Sequence, residues 1–316
     1  MSIALLLPYY GKFPIWINAF LRSCACNPNI TWIIFSDLKK PSYIPENVQF
    51  TFLRKTDLSA LIQKKTGLEH TLSNPHKLCD FKPLYGTIFE DYLISYDYWG
   101  HCDMDIIWGD LESFLQSISW NNYDIISARK WAISGHFTLY RNLPSINNLF
   151  RNVVNYQKAF TDESYQGFDE GYFSYFLFQK IYLKQKDIKI YWPMRNSIDR
   201  AELFLHPKGW YWQAGKIYNK YRKGGIYIHL IDWKRTFEQV CMGQPENQDF
   251  FKINQYGIWD QDIPIEVQLK LILTSGFRRR LMRRLRSTKR MLKTRLTGNR
   301  KAPTIKANVP QGYEVL

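Results

Sequence analysis

Residues 96–111 read YDYWGHCDMDIIWGDL, in which an aromatic run is followed by two carboxylates, an apolar triplet and a Gly-Asp pair. The run from Tyr98 to Cys102 is typical of a strand, and Asp103 and Asp105 come directly after it. Other strand-like and helical runs alternate upstream of it: strands at 3–7, 30–35 and 48–53, and helices at 13–25, 57–65 and 81–94. This alternation predicts βαβ units, and so an α/β, Rossmann-like fold with a mostly parallel sheet flanked by helices.

The second half of the chain has a less regular pattern. Strand-like runs at 124–128 and 136–141 are followed by helical stretches at 144–160 and 170–180. From 190 to 260 the chain is dense in Trp and Tyr and has no clean period. We therefore expect an irregular, aromatic-rich C-terminal half.

Composition excludes several classes of protein. The chain has 316 residues, of which 45% are hydrophobic and 16% aromatic, so most of it is expected to fold around a sizeable core. No apolar run is long enough to span a bilayer, and Pro8 ends the first apolar run too early for a signal peptide. Five cysteines without paired spacing predict neither a disulfide scaffold nor a zinc site, and favour a reducing, cytoplasmic setting.

The positive charge is concentrated near the C-terminus. The chain has a net charge of +15, and residues 277–301 contain twelve Lys or Arg and no Asp or Glu. Leu281, Leu285, Leu292 and Leu296 share one helical face, which predicts a basic amphipathic helix over 266–301 and a flexible tail over 302–316. Such a helix suits an anionic membrane surface, although a helix packed on the body has the same pattern. The body is nearly neutral, which argues against nucleic acid as a partner.

The pair Asp103-x-Asp105 is the strongest chemical signal. Both carboxylates are able to reach one divalent cation if the backbone turns after the strand, and oxygen ligands suit Mg²⁺ or Mn²⁺. Asp37 likewise follows a predicted strand, and ligands of parallel sheets bind beyond the carboxyl ends of the strands. A solvated turn is the alternative interpretation of the pair.

The stretch from Lys77 to Leu111 resembles the DXD-containing nucleotide-sugar glycosyltransferases of the GT-A fold. It is most similar to the bacterial branch that makes capsule or O-antigen polysaccharide. In that family a basic residue and an Asp lie three residues apart on a helix before the strand, as Lys77 and Asp80 do here, and Lys82 matches a further basic position. Trp99-Gly100 departs from the family's usual glycine pair.

The resemblance implies a donor site and a metal site. His229, in the strand-like run IYIHLIDWK at 226–234, would complete a Mn²⁺ (or Mg²⁺) shell with Asp103 and Asp105, and Lys234 would contact the diphosphate. A plain core histidine is the alternative for His229. Further residues are expected to bind the donor nucleotide, for which a UDP-sugar is favoured: Pro8, Tyr9, Asp37, Lys77, Asp80, Lys82 and Asp103.

The resemblance also suggests where the sugar and the acceptor bind. Asp169 is the first candidate and Glu170 the second for the carboxylate that faces the sugar, although acidic residues near a helix start also act as simple caps. Trp131, Gly135 and His136 resemble the loop that these enzymes place around sugar and acceptor. Aromatic rings in the second half suit the apolar faces of sugars.

The sequence thus predicts a metal-dependent, hexosyltransferase-type glycosyltransferase acting in bacterial surface polysaccharide synthesis. A GT-A-like catalytic domain over 1–265, with a nucleotide-binding half at 1–120 and a sugar and acceptor half at 121–265, would use a lipid-linked or oligosaccharide acceptor. The basic segment would hold it in the cytoplasm on the inner face of the membrane. His229 and Lys234, which come late in the chain, slightly favour a retaining reaction. A metal-dependent phospho- or nucleotidyltransferase, and a nucleic-acid binder using the basic tail, are the alternatives.

Overall fold

The computed structural model describes residues 2–70, 72, 75–127, 129, 132–184, 187–192, 197–198, 209–219, 221 and 224–271. Six of the first seven strands follow the predicted runs closely: β1 (Ile3–Pro8), β2 (Ile30–Ser36), β3 (Val48–Phe52), β4 (Tyr98–Cys102), β6 (Ile125–Ser127) and β7 (Phe137–Arg141). No predicted strand covers β5 (Ile106–Trp108). The strands of the second half are shorter: β8 (Ile190–Tyr191), β9 (Ser197–Ile198), β10 (Trp210–Gln213), β11 (Lys216–Tyr218), β12 (Gly224–Gly225), β13 (Tyr227–His229), β14 (Gln239–Cys241), β15 (Phe250–Asn254) and β16 (Gly257–Trp259).

The main sheet has seven strands in the order β3-β2-β1-β4-β7-β6-β8. The pairs β3-β2, β2-β1, β1-β4 and β6-β8 are parallel, while β7 runs antiparallel to β4 and β6. Apolar side chains of β1 and β2 are buried on both faces of this sheet. The predicted α/β fold with a mostly parallel sheet is therefore confirmed.

The helices are shorter than the sequence pattern predicts. The α-helices are α1 (Ile17–Ala25), α2 (Lys55–Thr66), α3 (Tyr85–Ile88), α4 (Leu111–Ser117), α5 (Pro144–Asn147), α6 (Lys158–Thr161) and α7 (Ser174–Phe176). Single 3₁₀ turns lie at Pro75–Cys79, Lys82–Leu84, Glu90–Tyr92, Trp120–Asn122, Leu149–Asn152, Trp233–Arg235 and Pro245–Asn247. The long helix predicted over 81–94 is wrong, because the segment is divided into short turns around α3. The helix predicted over 144–160 is also interrupted, and Asn155 there has a φ of 54°, outside the helical region.

Residues 168–182 form one continuous helical segment. Phe168–Phe173 and Leu177–Tyr182 are π-helical, and α7 lies between them. Gly167 precedes the segment with a φ of +71°, a left-handed conformation that suits glycine. This segment confirms the helix predicted over 170–180 and places Asp169 in its first turn.

The second half of the chain forms two further sheets. One has six strands in the order β12-β11-β10-β15-β16-β14, and the other has the order β5-β13-β9. The sequence pattern predicts β13, which lies in the strand-like run at 226–234, but none of the strands of the six-stranded sheet, because these are two to five residues long and their large apolar residues alternate with other aromatic residues. Trp210, Trp212 and Phe251 are buried between the six-stranded sheet and the rest of the body.

At the C-terminal end of the described chain, two apolar side chains are buried. Val267 and Leu271, on a helical turn that begins at residue 265, are buried against Trp259. The rest of the predicted basic helix and the tail at 302–316 lie outside the described residues. Among those described, no helix is both long enough and apolar enough to cross a bilayer. All five cysteines are free thiols.

Candidate metal and sugar site

The acidic pair lies in a turn between β4 and β5 whose backbone is held from three sides. The amide of Asp103 donates to the carbonyl of His136 at 3.0 Å. The carbonyl of Met104 accepts from the indole N–H of Trp16 at 2.9 Å. The carbonyl of Asp105 accepts from the amide of Leu230 at 2.8 Å. These bonds hold the backbone of the turn that carries both carboxylates.

β13 brings a histidine to the acidic pair. It pairs antiparallel with β5, and His229 lies opposite Ile106 in the register. As a result, Nε2 of His229 lies 3.4 Å from Oδ1 of Asp105. One ligand atom from each of Asp103, Asp105 and His229 falls within 4.8 Å of the other two.

The donor set of this cluster fits a divalent cation. Two carboxylates and one imidazole are compatible with Mn²⁺ or Mg²⁺. Oδ1 of Asp105 is buried and accepts no hydrogen bond from the described residues. A buried carboxylate oxygen without a hydrogen bond is costly, and a cation is one way to compensate it.

Two lysines flank the carboxylates. Nζ of Lys82 lies 2.6 Å from Oδ1 of Asp103, and Nζ of Lys234 lies 2.6 Å from Oδ2 of Asp105. Burial alone would raise the pKa of Asp105, but His229 and Lys234 outweigh it, and the pKa lies below the ordinary value. Asp105 is therefore ionised at neutral pH.

Lys82 also connects the acidic pair to a second group of carboxylates. Its Nζ donates to the carbonyl of Gly135 at 2.6 Å, and the amide of Gly135 donates to Oε1 of Glu170 at 2.9 Å. A Cβ at Gly135 would lie 2.9 Å from Oδ2 of Asp169 and from Oε1 of Glu170, so only glycine permits this approach. Glu170 is further held by Arg129, with Nη1 and Oε2 2.5 Å apart.

Asp169 is the most perturbed acid of this group. Its side chain is buried and Oδ1 accepts from the Tyr165 hydroxyl at 3.0 Å. Burial raises the pKa of Asp169 to about 7, with Lys82 opposing and Glu170 adding to the shift. Near neutral pH this carboxyl exists in both protonation states.

His136 lies between the two groups. Its ring stacks on that of His229 with centroids 4.1 Å apart. Nδ1 lies 2.7 Å from Oγ of Ser134, and Nε2 lies 2.7 Å from the hydroxyl of Tyr227. Burial first, and then the neighbouring His229, lower the pKa of His136, so its imidazole is neutral. Trp131, predicted to lie beside it, is outside the described residues.

Three of the predicted nucleotide-binding residues, Pro8, Tyr9 and Asp37, lie at the carboxyl edge of β1 and β2. Pro8 ends β1 and Tyr9 follows it, with its ring stacked on Phe13 at 5.8 Å. Asp37 is exposed just beyond β2, at the same edge of the sheet. Burial raises the pKa of Tyr9, and the charge of Asp105 adds to the shift, which places this hydroxyl within electrostatic reach of the acidic pair.

Lys77 and Asp80 lie beneath the site and have no exposed side-chain surface. Each contacts the chain segment that leads to Asp169, and the two side chains pair with each other there, so both are engaged inside the fold. Lys82, by contrast, reaches the acidic pair itself.

Sequence reasoning missed several residues that shape the site: Trp16, Arg129, Tyr165 and Tyr227. Trp16, Arg129 and Tyr227 each lie 41 or more residues along the chain from the group that they contact. Tyr165 carried the best local signal, because it comes four residues before Asp169. The others are found only once the sheet order is known.

The family comparison covers most of the chain. Residues 5–262 match the model of a family of unknown function, DUF6625, and the chain belongs to that family. No curated protein matches it. Mouse xyloside xylosyltransferase 1 in its apo form is a structural neighbour at 10% identity and a TM-score of 0.34, covering 54% of this chain and 80% of that one. A likeness this distant carries no argument about activity.

Proposed function

We propose that this DUF6625 member is a metal-dependent glycosyltransferase that moves a sugar from a nucleoside-diphosphate sugar to a glycan acceptor. The observation that carries the proposal is the convergence of Asp103, Asp105 and His229 within 4.8 Å at the carboxyl edge of the sheet. Two lysine ammonium groups stand beside them. A site that combines cation-binding side chains with ammonium groups favours a bound diphosphate over a bound neutral molecule.

Asp103, Asp105 and His229 would hold the cation, Mn²⁺ or Mg²⁺. When bound, the cation supplies charge neutralisation for the diphosphate that leaves. Lys234 is placed to donate to a phosphate oxygen, because its side chain is 41% exposed and its only ion-pair partner among the described residues is Asp105. Lys82 is buried and keeps Asp103 in position.

Asp169 is the residue that we assign to the acceptor hydroxyl. A carboxylate with a pKa of about 7 takes up a proton more readily than an ordinary aspartate. Glu170 is held by Arg129 and by the amide of Gly135, so it orients the loop around the sugar. In a retaining reaction, towards which the sequence leans slightly, Asp169 would orient the sugar instead.

The nucleotide would bind beyond β1 and β2, with the base beside Tyr9 and the ribose within reach of Asp37. A UDP-sugar is the favoured donor. Support for this placement comes from the shared carboxyl edge of the two strands.

The cellular role that we propose is bacterial capsule or O-antigen synthesis on a lipid-linked acceptor, at the inner face of the cytoplasmic membrane. Its support is the run of twelve basic residues at 277–301, which suits anionic lipid, and the family resemblance of the stretch from Lys77 to Leu111.

The experiment is a turnover assay with UDP-, GDP- and CDP-sugars, each with and without Mn²⁺. Mass spectrometry would identify the released nucleotide and the sugar product, and NMR the anomeric configuration. We expect Mn²⁺-dependent release of a nucleoside diphosphate, and loss of turnover in Asp105→Asn. Asp91→Asn is the control. Asp91 pairs with Lys65, and in the variant Lys65 retains its second ion pair, with Glu90 at 2.9 Å. Release of pyrophosphate, or of a phosphorylated product, would assign the site to a nucleotidyl- or phosphotransferase instead.

A further inference from the structure

The six-stranded sheet has two unlike faces. One face is buried in the core and carries Trp210, Trp212, Ile217, Phe251 and Ile253. The other face is partly exposed and carries Tyr211, Tyr218, Phe250 and Lys252. Neighbouring residues of a strand point to opposite faces, so this division follows from the alternation in β10, β11 and β15. The exposed face is therefore aromatic without being part of the core.

Three rings on the exposed face form a row. Tyr211 lies opposite Tyr218 in the register, and their rings are stacked with centroids 5.3 Å apart and planes 19° apart. Phe250 stacks on the other side of Tyr211 at 6.1 Å and 24°. The row ends at Tyr218, on the side towards β12.

A hollow lies beside the end of this row. β12 consists of two glycines, and Gly224 is the residue opposite Tyr218. Because glycine has no side chain, β12 leaves space next to the tyrosine ring. A cavity of about 630 Å³ is found here, lined among others by Tyr211, Tyr218 and Gly224. Its volume is within the ordinary range for sites that bind small organic ligands.

The polar groups of the cavity suit a hydroxyl-rich ligand. Asp110, Lys216 and Asn219 line it, so its described lining includes residues that carry a carboxylate, an ammonium group and an amide. A sugar ring has an apolar face that packs on an aromatic ring and hydroxyls that bond to charged and polar groups.

The cavity is separated from the acidic cluster by the length of β5. Asp105 precedes this strand and Asp110 follows it, while the paired strand β13 begins two residues after Gly225 and ends at His229. The four residue steps from Gly225 to His229 span about 13 Å of nearly extended chain. A single sugar does not bridge this distance, whereas an oligosaccharide chain does.

We propose that this cavity is a second carbohydrate-binding site, which holds the glycan acceptor at sugar units distant from the reacting hydroxyl. That the bound carbohydrate is the acceptor rests on the proposed function. Carbohydrate binding itself rests on the aromatic row, the glycine strand and the polar groups of the described lining.

The test is calorimetric titration with hexasaccharides of glucose, N-acetylglucosamine, mannose and galactose, without nucleotide or metal. We expect at least one to bind, and Tyr218→Ala to weaken its binding about tenfold. Gly224→Leu, which fills the hollow from the opposite strand, should weaken it as well. Tyr92→Ala, at a partly exposed tyrosine of the Glu90–Tyr92 turn, should bind as the wild type does.

The proposal is overturned if none of the hexasaccharides binds, or if both Tyr218→Ala and Gly224→Leu bind with unchanged affinity. Loss of binding in Asp105→Asn would also overturn it, because the carbohydrate would then occupy the acidic cluster. Oligosaccharide binding without any nucleotide binding would contradict the proposed transferase and leave the carbohydrate site standing.

Discussion

Lys77 and Asp80 form an ion pair with no exposed side-chain surface, in which Nζ and Oδ2 are 3.0 Å apart. Nζ of Lys77 also donates to the carbonyls of Ala159 and Ser164, at 2.5 and 2.8 Å. The carboxylate of Asp80 accepts from the amides of Gln166 and Phe168, at 2.9 and 2.8 Å. The pair thus ties the Pro75–Cys79 turn to the segment that ends at Asp169.

The first prediction concerns this pair. Asp80→Asn should lower the free energy of unfolding by about 3 kcal/mol, because it removes the carboxylate charge that lies 3.0 Å from the buried Lys77 ammonium. Urea unfolding measures the change. Asp91→Asn, at an exposed carboxylate, serves as the control and should change stability by less than about 0.5 kcal/mol. Equal effects of the two substitutions would contradict the structural role of the pair.

The second prediction concerns the pH dependence of stability. The pKa of Asp169 is raised in the folded protein from 3.8 to about 7, so the folded state binds a proton that the unfolded state releases. This bound proton stabilises the folded state fully below about pH 4, and the stabilisation is lost as the pH rises to about 7. Asp169→Asn removes the titration. Its stability relative to the wild type should rise by about 2.5 kcal/mol between pH 5 and pH 8, because part of the wild-type stabilisation is already lost at pH 5.

Urea unfolding of wild type and Asp169→Asn at pH 5, 6, 7 and 8 measures this difference. In Asp169→Asn the side-chain oxygen that accepts from the Tyr165 hydroxyl is still present. The variant therefore removes the charge and retains this hydrogen bond. A difference that stays constant from pH 5 to pH 8 would show that Asp169 does not titrate in this range.

The third prediction uses the close approach at Gly135. Gly135→Ala places a Cβ 2.9 Å from carboxylate oxygens of both Asp169 and Glu170, so these side chains must shift. We expect turnover to fall about 100-fold, because small displacements of reacting groups are costly. Gly171→Ala is the matched control, since its Cβ meets nothing within 4 Å. Wild-type turnover by Gly135→Ala would remove this loop from the site.

The fourth prediction concerns the basic segment. Deletion of residues 277–316 should release the protein from vesicles that contain anionic lipid, because each Lys or Arg near such a surface contributes about 1 kcal/mol. Turnover on a soluble acceptor should be retained. Vesicle co-sedimentation measures the binding, with zwitterionic vesicles as control. Binding that survives the deletion would refute a membrane role for this segment.

The sequence predicted the parallel part of the main sheet because its signals are local. Strands β1, β2 and β4 are continuous apolar runs with clear ends, and the acidic pair follows the last of them. Asp103, Asp105 and His229 were singled out together, and the structure brings them together through the β5–β13 pairing. Their role as metal ligands stays a prediction.

The sequence does not show which charged residues are buried or which distant segments pair with each other. The sequence places Lys77 and Asp80 at the donor, but in the structure they pair with each other and bond to backbone groups of a segment about 80 residues away. No local pattern distinguishes such a pair from an exposed one. The six-stranded sheet was missed because its strands gain stability from packing Trp210, Trp212 and Phe251 together rather than from their own periodicity.

The metal-dependent nucleotide site is tested most directly by thermal unfolding with UDP, GDP and CDP, each with and without Mn²⁺. A ligand at 100 times its dissociation constant adds about 2.7 kcal/mol to the free energy of unfolding, which raises Tm by several degrees. We predict such a shift for one nucleotide, requiring Mn²⁺ and absent in Asp105→Asn. No shift with any nucleotide, or an equal shift in Asp105→Asn, would contradict the site.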